Sequence, residues 1–459
     1  MMDEKININP LGTLPVNKLL RQFAVPSIIA MLVGSLYNIV DQFFIGRSVG
    51  ELGNAATNIA FPLTISCIAI ALLFGIGGAS AFNLAMGKGE REKAVYYIGN
   101  AAAMLFGCGV VLCIITQLFL NPMLKFFGSP AEVLGYASTY TRITSLGFPF
   151  LILATGGGHL IRADGSPQFT MISNLTGAII NTILDAWFVF GLNTGMAGAA
   201  LATIIGQMVS GGMAFYYLRH YKTATIRKEH LIIRKKYLGR IMSLGAAPCS
   251  NQVAMMVVQI IMNKSLAYYG ALSVYGESIP LASVGIITKV NQVFFSFIIG
   301  ISQGLQPIVS FNYGAGRYDR VKKAYIRAVS YGFGISLIAF LMFQFLPRQI
   351  ISLFGDGSDA YYQFAISYFR IFLLFTFLNF LQPITSNFFT AIGKPQKGIF
   401  LSLTRQILFL LPLILILPLL IGIDGILFAG PIADFVAGMV AIIMISKELK
   451  SNIYLIKNE

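Results

Sequence analysis

The sequence predicts an all-α integral membrane protein: twelve transmembrane helices in two six-helix lobes, related by a pseudo-two-fold axis along the membrane normal. Three observations carry this. Only 11% of the 459 residues are charged and 56% are hydrophobic, against roughly 25% charged in an ordinary soluble domain. The charge sits in short clusters separated by uncharged runs such as Leu52 to Gly87, Ala94 to Leu124, Ala186 to Leu218 and Val290 to Gly316. A run of roughly 18 or more apolar residues crosses a ~30 Å hydrocarbon core as a helix, and several of these runs are longer than that. The third observation is an internal repeat. Residues 140 to 168 end in Ile161-Arg162-Ala163-Asp164-Gly165-Ser166-Pro167-Gln168, and residues 368 to 396 end in Phe389-Thr390-Ala391-Ile392-Gly393-Lys394-Pro395-Gln396, an offset of 228.

The same offset superposes Tyr140, Arg142 and Ile143 on Tyr368, Arg370 and Ile371. Nearby offsets pair Gly87 with Gly316, Ala94 with Ala324 and Pro26 with Pro248. Cutting the uncharged runs at their Gly, Pro and Asn punctuation predicts helices near 23 to 46, 53 to 82, 94 to 120, 133 to 160, 168 to 191, 195 to 219, 240 to 264, 279 to 310, 324 to 347, 360 to 388, 396 to 421 and 425 to 446. Six helices per repeat is an even number, so the halves run parallel. The predicted domains are an N-terminal lobe, 1–218, a basic cytoplasmic linker, 219–240, and a C-terminal lobe, 241–459. Two lobes with a cleft between them suit alternating-access transport.

In a soluble protein the net charge of +15 would raise nucleic-acid binding, but its placement reads as topology. Lys and Arg gather in cytoplasmic loops. The N-terminal segment, the loops after even-numbered helices, Arg162, Lys394, Lys397, Arg405 and the C-terminal segment hold 26 of the 33. Eight of these lie between Arg219 and Arg240, a stretch suited to anionic lipid headgroups. Both termini are therefore expected in the cytoplasm, and no nucleic-acid partner is needed. Met1 to Val16 has no basic-then-apolar leader pattern, so no removable signal peptide is expected. Cys67, Cys108, Cys113 and Cys249 all lie in apolar runs without metal or redox spacing and read as small buried hydrophobes.

Ionisable groups inside spans are costly and mark function; four stand out, Asp41, Asp185, Lys289 and Asp434. Asp41 in helix 1 and Asp185 in helix 5 each lie about five residues from the outer helix end, roughly 8 Å deep at 1.5 Å per residue. Helix 6 returns inward, so Ala199 and Thr203 reach the same depth. Three i,i+4 pairs then share a layer: Tyr37 with Asp41, Asn181 with Asp185, and Ala199 with Thr203. Two acids in a low-dielectric layer share a proton or hold a cation. Carboxylate, amide and hydroxyl oxygens suit a hard ion such as Na⁺, with Asp41, Asn181, Asp185 and Thr203 as its ligands, and a proton would serve equally well. The competing reading makes each acid a kink cap or an interhelix hydrogen-bond acceptor.

Lys289 and Asp434 lie at matched depth in helices 8 and 12 and read as a buried pair, either a packing device or a coupling or substrate contact. Arg142 and Arg370, equivalent in the repeat, read as snorkelling side chains. His159, His220 and His230 are scattered, and no nucleophile elbow, phosphate loop or His/Glu metal spacing occurs, so neither an enzyme nor an ATP-driven pump is expected. The 37 Phe and 17 Met belong to core, lipid face or a cleft that binds flat cations.

The two-lobe plan, Tyr37-Asn38-Ile39-Val40-Asp41, Asn181-Thr182-Ile183-Leu184-Asp185, the Gly314-Ala315-Gly316 turn and the twin Gly-x-Pro-Gln turns together resemble the multidrug and toxic compound extrusion (MATE) transporters, in particular their bacterial DinF/MepA-like branch. The resemblance implies a V-shaped pair of lobes and export of cationic amphipathic drugs and dyes by a monomer of the bacterial inner membrane. It implies coupling to inward Na⁺ or H⁺, with no cofactor. It also implies a cation site at Asp41, Asn181, Asp185, Thr203 and the backbone of Ala199, with Tyr37 adjacent. The NorM-type pattern places acids in helices 7 and 10; here helix 7 has none and helix 10 offers only Arg370, which leaves the N-lobe as the coupling half. A flippase for lipids or lipid-linked oligosaccharides, from the related superfamily, is the alternative. A major-facilitator transporter is disfavoured by Gly87-Lys88-Gly89-Glu90-Arg91-Glu92-Lys93, which lacks that family's loop pattern.

Overall fold

The computed structural model describes residues 9–276, 278–353 and 358–451. No strand occurs among them. Lys5 and Lys457, counted above with the basic terminal segments, lie outside the described residues.

Among the described residues, twelve helices are long and apolar enough to cross a membrane. They are α1 (Val16–Arg47), α2 (Leu52–Gly87), α3 (Arg91–Leu118), α4 (Ala131–Ala163), α5 (Pro167–Gly191), α6 (Gly195–Arg219), α7 (Lys235–Ala271), α8 (Ser278–Gly314), α9 (Tyr318–Phe345), α10 (Asp359–Ala391), α11 (Pro395–Ile421) and α12 (Asp424–Leu449). Each overlaps its predicted span. The main difference is length: α1 and α7 begin five or more residues earlier than charge placement suggested, because backbone hydrogen bonding carries a helix past the hydrocarbon edge. Two short helices, Leu120–Phe126 and Pro347–Ser352, cap the far face between α3 and α4 and between α9 and α10.

The repeat is visible in backbone detail. Gly165 and Gly393 adopt φ +83° and +79° in the twin Gly-x-Pro-Gln turns, where a side chain would be strained, and Gly89 and Gly316 do so at +79° and +73°. Gln117 donates to the Arg142 carbonyl at 2.7 Å and Gln344 to that of Arg370 at 3.1 Å. Arg142 and Arg370 themselves are exposed. The fifth helix of each half contains a π-helical stretch, Ala186–Gly191 in α5 and Thr404–Leu410 in α11, but not in register: the 228-residue offset carries the first to 414–419, beyond the second.

Two large apolar cores hold the bundle. One is built from α2, α3, α4 and α6 around Phe74, Phe82, Leu105 and Leu160. The other gathers the later helices around Ile298, Phe369, Phe388 and Phe389, and it also takes in Leu19, Leu20 and Phe23 from the start of α1. The halves meet along a seam at the termini face, where α2 lies on α7 and α1 on α8. The seam is made of glycine: a Cβ at Gly77 would overlap the Ile241 carbonyl, at Gly245 the Leu73 carbonyl, and at Gly300 the backbone of Ile28. Small residues of this kind let membrane helices approach backbone to backbone. Gln306 adds bonds to the Ser80 hydroxyl, 2.8 Å, and the Ile76 carbonyl, 3.3 Å, and Ser35 meets Ser296 at 2.8 Å.

The segment between the halves is pinned to the first one. The Asp164 carboxylate accepts from the amides of Lys222 and Thr223 and from the hydroxyls of Thr223 and Tyr217. Asn100 donates to the carbonyls of His230 and Ile232 and accepts from the Arg234 amide. On the same face, Arg320 reaches the carbonyls of Leu11 and Leu14, tying the N-terminal segment to α9.

Candidate functional site

The acid layer is assembled by close packing of α5 on α6. The face that α5 buries is Thr170, Ser173, Gly177, Asn181 and Asp185, at three- and four-residue spacing. Gly177 lies against Gly206 and Ser210, and the hydroxyls of Ser173 and Ser210 each donate to the other's carbonyl, at 3.1 and 2.9 Å. This approach continues outward to set the Asn181 side chain beside Gly206. One turn further toward the far face, Asp185 sits at 0% exposure, immediately before the π-helical stretch. Such stretches recur at functional sites because they redirect side chains and interrupt the regular ladder.

From α1, Asp41 enters the layer at 8% exposure and interacts electrostatically with Asp185. Tyr37, Asp41 and the α4 residue Tyr140 all come within range of the Thr203 hydroxyl, which itself donates to the Ala199 carbonyl at 3.0 Å. Thus Tyr37, Asp41, Asn181, Asp185, Ala199 and Thr203 occupy one neighbourhood.

What distinguishes the layer is its unmet hydrogen bonding. Asp41 Oδ1, both Asp185 oxygens, and Asn181 Oδ1 and Nδ2 are buried without a hydrogen-bond partner in the protein, and no Lys or Arg pairs with either acid among the described residues. A buried oxygen left so costs roughly 1–3 kcal/mol, more when charged. Four at one place form a donor set for a hard cation, which prefers oxygen ligands, or for protons shared between the acids. Among the described residues no three His, Cys, Asp or Glu come together; an ion held here would draw on amide and hydroxyl oxygens as well.

The second half is organised differently. Asp434, 2% exposed, pairs with Arg405 at 2.5 Å, Nε to Oδ1, rather than with Lys289. Arg405 lies about 15 Å into α11, ten residues from Pro395, inside the other π-helical stretch. Charge placement puts Arg405 among the cytoplasmic loop charges; its depth in the helix removes it from them. Charge spacing alone favours Lys289 because its depth matches that of Asp434, but α8 turns Lys289 away from the core. Tyr368, the repeat partner of Tyr140, lies in electrostatic range of both Arg405 and Asp434. Neither Tyr140 nor Arg405 entered the sequence-derived site. The 228-residue offset, which superposes Tyr140 on Tyr368, was the signal available for the tyrosines.

The MatE family model matches residues 26–187 and 249–416, two blocks whose starts are 223 residues apart (249 − 26) and whose ends are 229 apart (416 − 187). Curated relatives include the multidrug export protein MepA of Staphylococcus haemolyticus strain JCSC1435, 25% identical with 93% of each chain covered, and MepA of Staphylococcus aureus strain MSSA476, 23% identical with 94% of each covered. Among solved structures, the MATE multidrug transporter DinF-BH, solved as a complex, is 30% identical, with a TM-score of 0.87 over 96% of this chain and 97% of that one. An outward-facing MATE transporter of the MOP superfamily gives a TM-score of 0.89 at 22% identity, over 96% and 98%. With its twelve spans, its twofold family match and its buried oxygen layer, the chain belongs to the MatE family of membrane transporters, the multidrug and toxic compound extrusion family.

Proposed function

We propose that this chain exports cationic amphipathic drugs and dyes across a bacterial plasma membrane, with both termini cytoplasmic, in exchange for Na⁺ or H⁺ moving inward through the acid layer. The observation that supports this is the set of buried, unpartnered oxygens on Asp41, Asp185 and Asn181. Ion binding there satisfies those oxygens, and ion loss leaves two carboxylates to repel each other, so the layer has two states of different energy. A transporter needs such a difference to couple one movement to another. The MepA relatives named for multidrug export, and DinF-BH, named as a multidrug transporter, support the substrate class. The seam closed from Ser35 and Ser296 to the termini face supports reading this as the state in which drug and coupling ion exchange with the far side.

The test is ethidium export from inverted vesicles carrying the full chain, with Na⁺ and pH gradients imposed one at a time. One of the two gradients should drive export in the wild type. Export independent of both gradients would overturn the coupling.

A further inference from the structure

Among the described residues, Lys289 is the one basic side chain of α8, on the side that faces the first half, and the exchange described above does not use it. Its placement follows from the helix itself. The core-facing stripe of α8 is Val284, Ile287, Phe294, Ile298, Ile301 and Leu305. The opposite stripe meets the first half: Ser296 touches Ser35, Gly300 lies on Ile28 and Gly304 on Ala24. Lys289 precedes Ser296 by seven residues, two turns on the same face. It therefore stands about 10 Å beyond the last seam contact, on the far side.

The face it occupies sets Lys289 apart from a lipid-facing anchor: eleven residues into α8 from Ser278 (289 − 278), it lies on the stripe that continues the contacts with the first half. The side chain is partly exposed and has no ion-pair partner among the described residues. A charged ammonium at that depth needs water or a counter-ion. The helix 1 face that continues outward from Ser35 carries Asn38, exposed, and Gln42, while Asp41 turns into the first half and is buried. Gln292, also exposed, lies one turn from Lys289 toward the seam. The cleft wall formed by these faces of α1 and α8 thus presents one cation among neutral amides and no carboxylate.

We propose that Lys289 is the anion contact of the substrate-binding cleft, the residue that selects, among transported amphipaths, those bearing a carboxylate beside their aromatic or cationic part. This rests on reading the cleft between the halves as the transport path. The carboxylate takes a charge-assisted hydrogen bond from the ammonium Nζ, and the surrounding amides bind the remaining polar groups.

The experiment compares ciprofloxacin, ionised at its carboxylate near pH 7.5, with its ethyl ester, which keeps the ring and the amine. Binding of each is measured by equilibrium dialysis against the purified full-length chain in detergent, for the wild type, Lys289→Met and Lys289→Arg. The wild type should prefer the acid. Lys289→Met should weaken acid binding about tenfold, the scale of one charge-assisted contact, and change ester binding less than about twofold; Lys289→Arg should keep most of the acid preference. Retained ester binding also reports that each variant is folded. Equal losses for acid and ester, or unchanged acid binding in Lys289→Met, would overturn the assignment alone. A wild type that binds neither compound would overturn the cleft reading along with it.

Discussion

The two halves share a backbone plan and differ in charge. Each has a fifth helix with a π-helical stretch, an ionisable side chain at the start of that stretch, and a repeat-related tyrosine beside it. In the first half the ionisable residue is Asp185, joined by a second acid, Asp41, with its oxygens unpartnered. In the second it is Arg405, which neutralises Asp434. The difference is one of charge pairing: neither acid of the first half has a Lys or Arg partner among the described residues, whereas Asp434 is paired with Arg405 through Oδ1, its Oδ2 remaining without a hydrogen-bond partner. Duplication supplied two similar frames, but Asp185 and Arg405 are not repeat equivalents: Asp185 lies 18 residues into α5 (185 − 167) and Arg405 ten into α11 (405 − 395), so the halves differ in where the charge sits as well as in its sign.

The largest effect should come from removing that demand. Asp41→Asn or Asp185→Asn is expected to reduce gradient-driven ethidium export to the level of empty vesicles, with the protein still present in the membrane by immunoblot. Full export in both variants would erase the distinction between the halves. Next comes the paired half. Arg405→Met strands a buried carboxylate and should cost about 3–5 kcal/mol of stability, read as a fall in the temperature at which the detergent-solubilised protein loses its monodisperse peak. Replacing both partners, Arg405→Met with Asp434→Leu, should recover most of that loss and retain export. A double variant that stays stable but no longer exports would move the second half into the coupling machinery.

A smaller change is expected at the seam common to both halves. Gly245→Ala would overlap the Leu73 carbonyl and should part the seam, so that a Ser80→Cys reporter, in a background lacking the native cysteines, reacts faster with maleimide from the termini face. Unchanged reactivity would show that the glycine contacts do not set the closure. The smallest effect is expected at the linker. Asp164→Ala removes the acceptor for two backbone amides and should cost about 1–3 kcal/mol locally, seen as faster tryptic cleavage between Arg219 and Arg240 while export persists.

Much of this was legible in the sequence because a membrane imposes few solutions. Lipid excludes charge and unpaired backbone, so uncharged runs located all twelve helices, and helical spacing put Tyr37, Asp41, Asn181, Asp185, Ala199 and Thr203 at one depth. What stayed hidden depends on rotation about the helix axis and on local backbone irregularity. Depth alone matched Lys289 to Asp434, yet Lys289 lies on the seam side of α8 while Asp434 faces Arg405. Arg405 falls close enough to the loop before α11 to count as a loop charge, and no sequence feature announced the π-helical stretch that holds it. Tyr140 was visible only as a repeat match, since a tyrosine in an apolar helix carries no signal of what it faces.

Whether ion coupling belongs to the first half alone is decided by measuring ion counterflow, ²²Na⁺ uptake and internal pH together, during ethidium transport in proteoliposomes. The variants to compare are wild type, Asp41→Asn, Asp185→Asn and the Arg405→Met, Asp434→Leu double substitution. Drug-dependent ion movement is expected in the wild type and the double variant, and none in either Asp→Asn protein. Ion movement that survives Asp41→Asn and Asp185→Asn but disappears in the double variant would place the coupling in the second half instead.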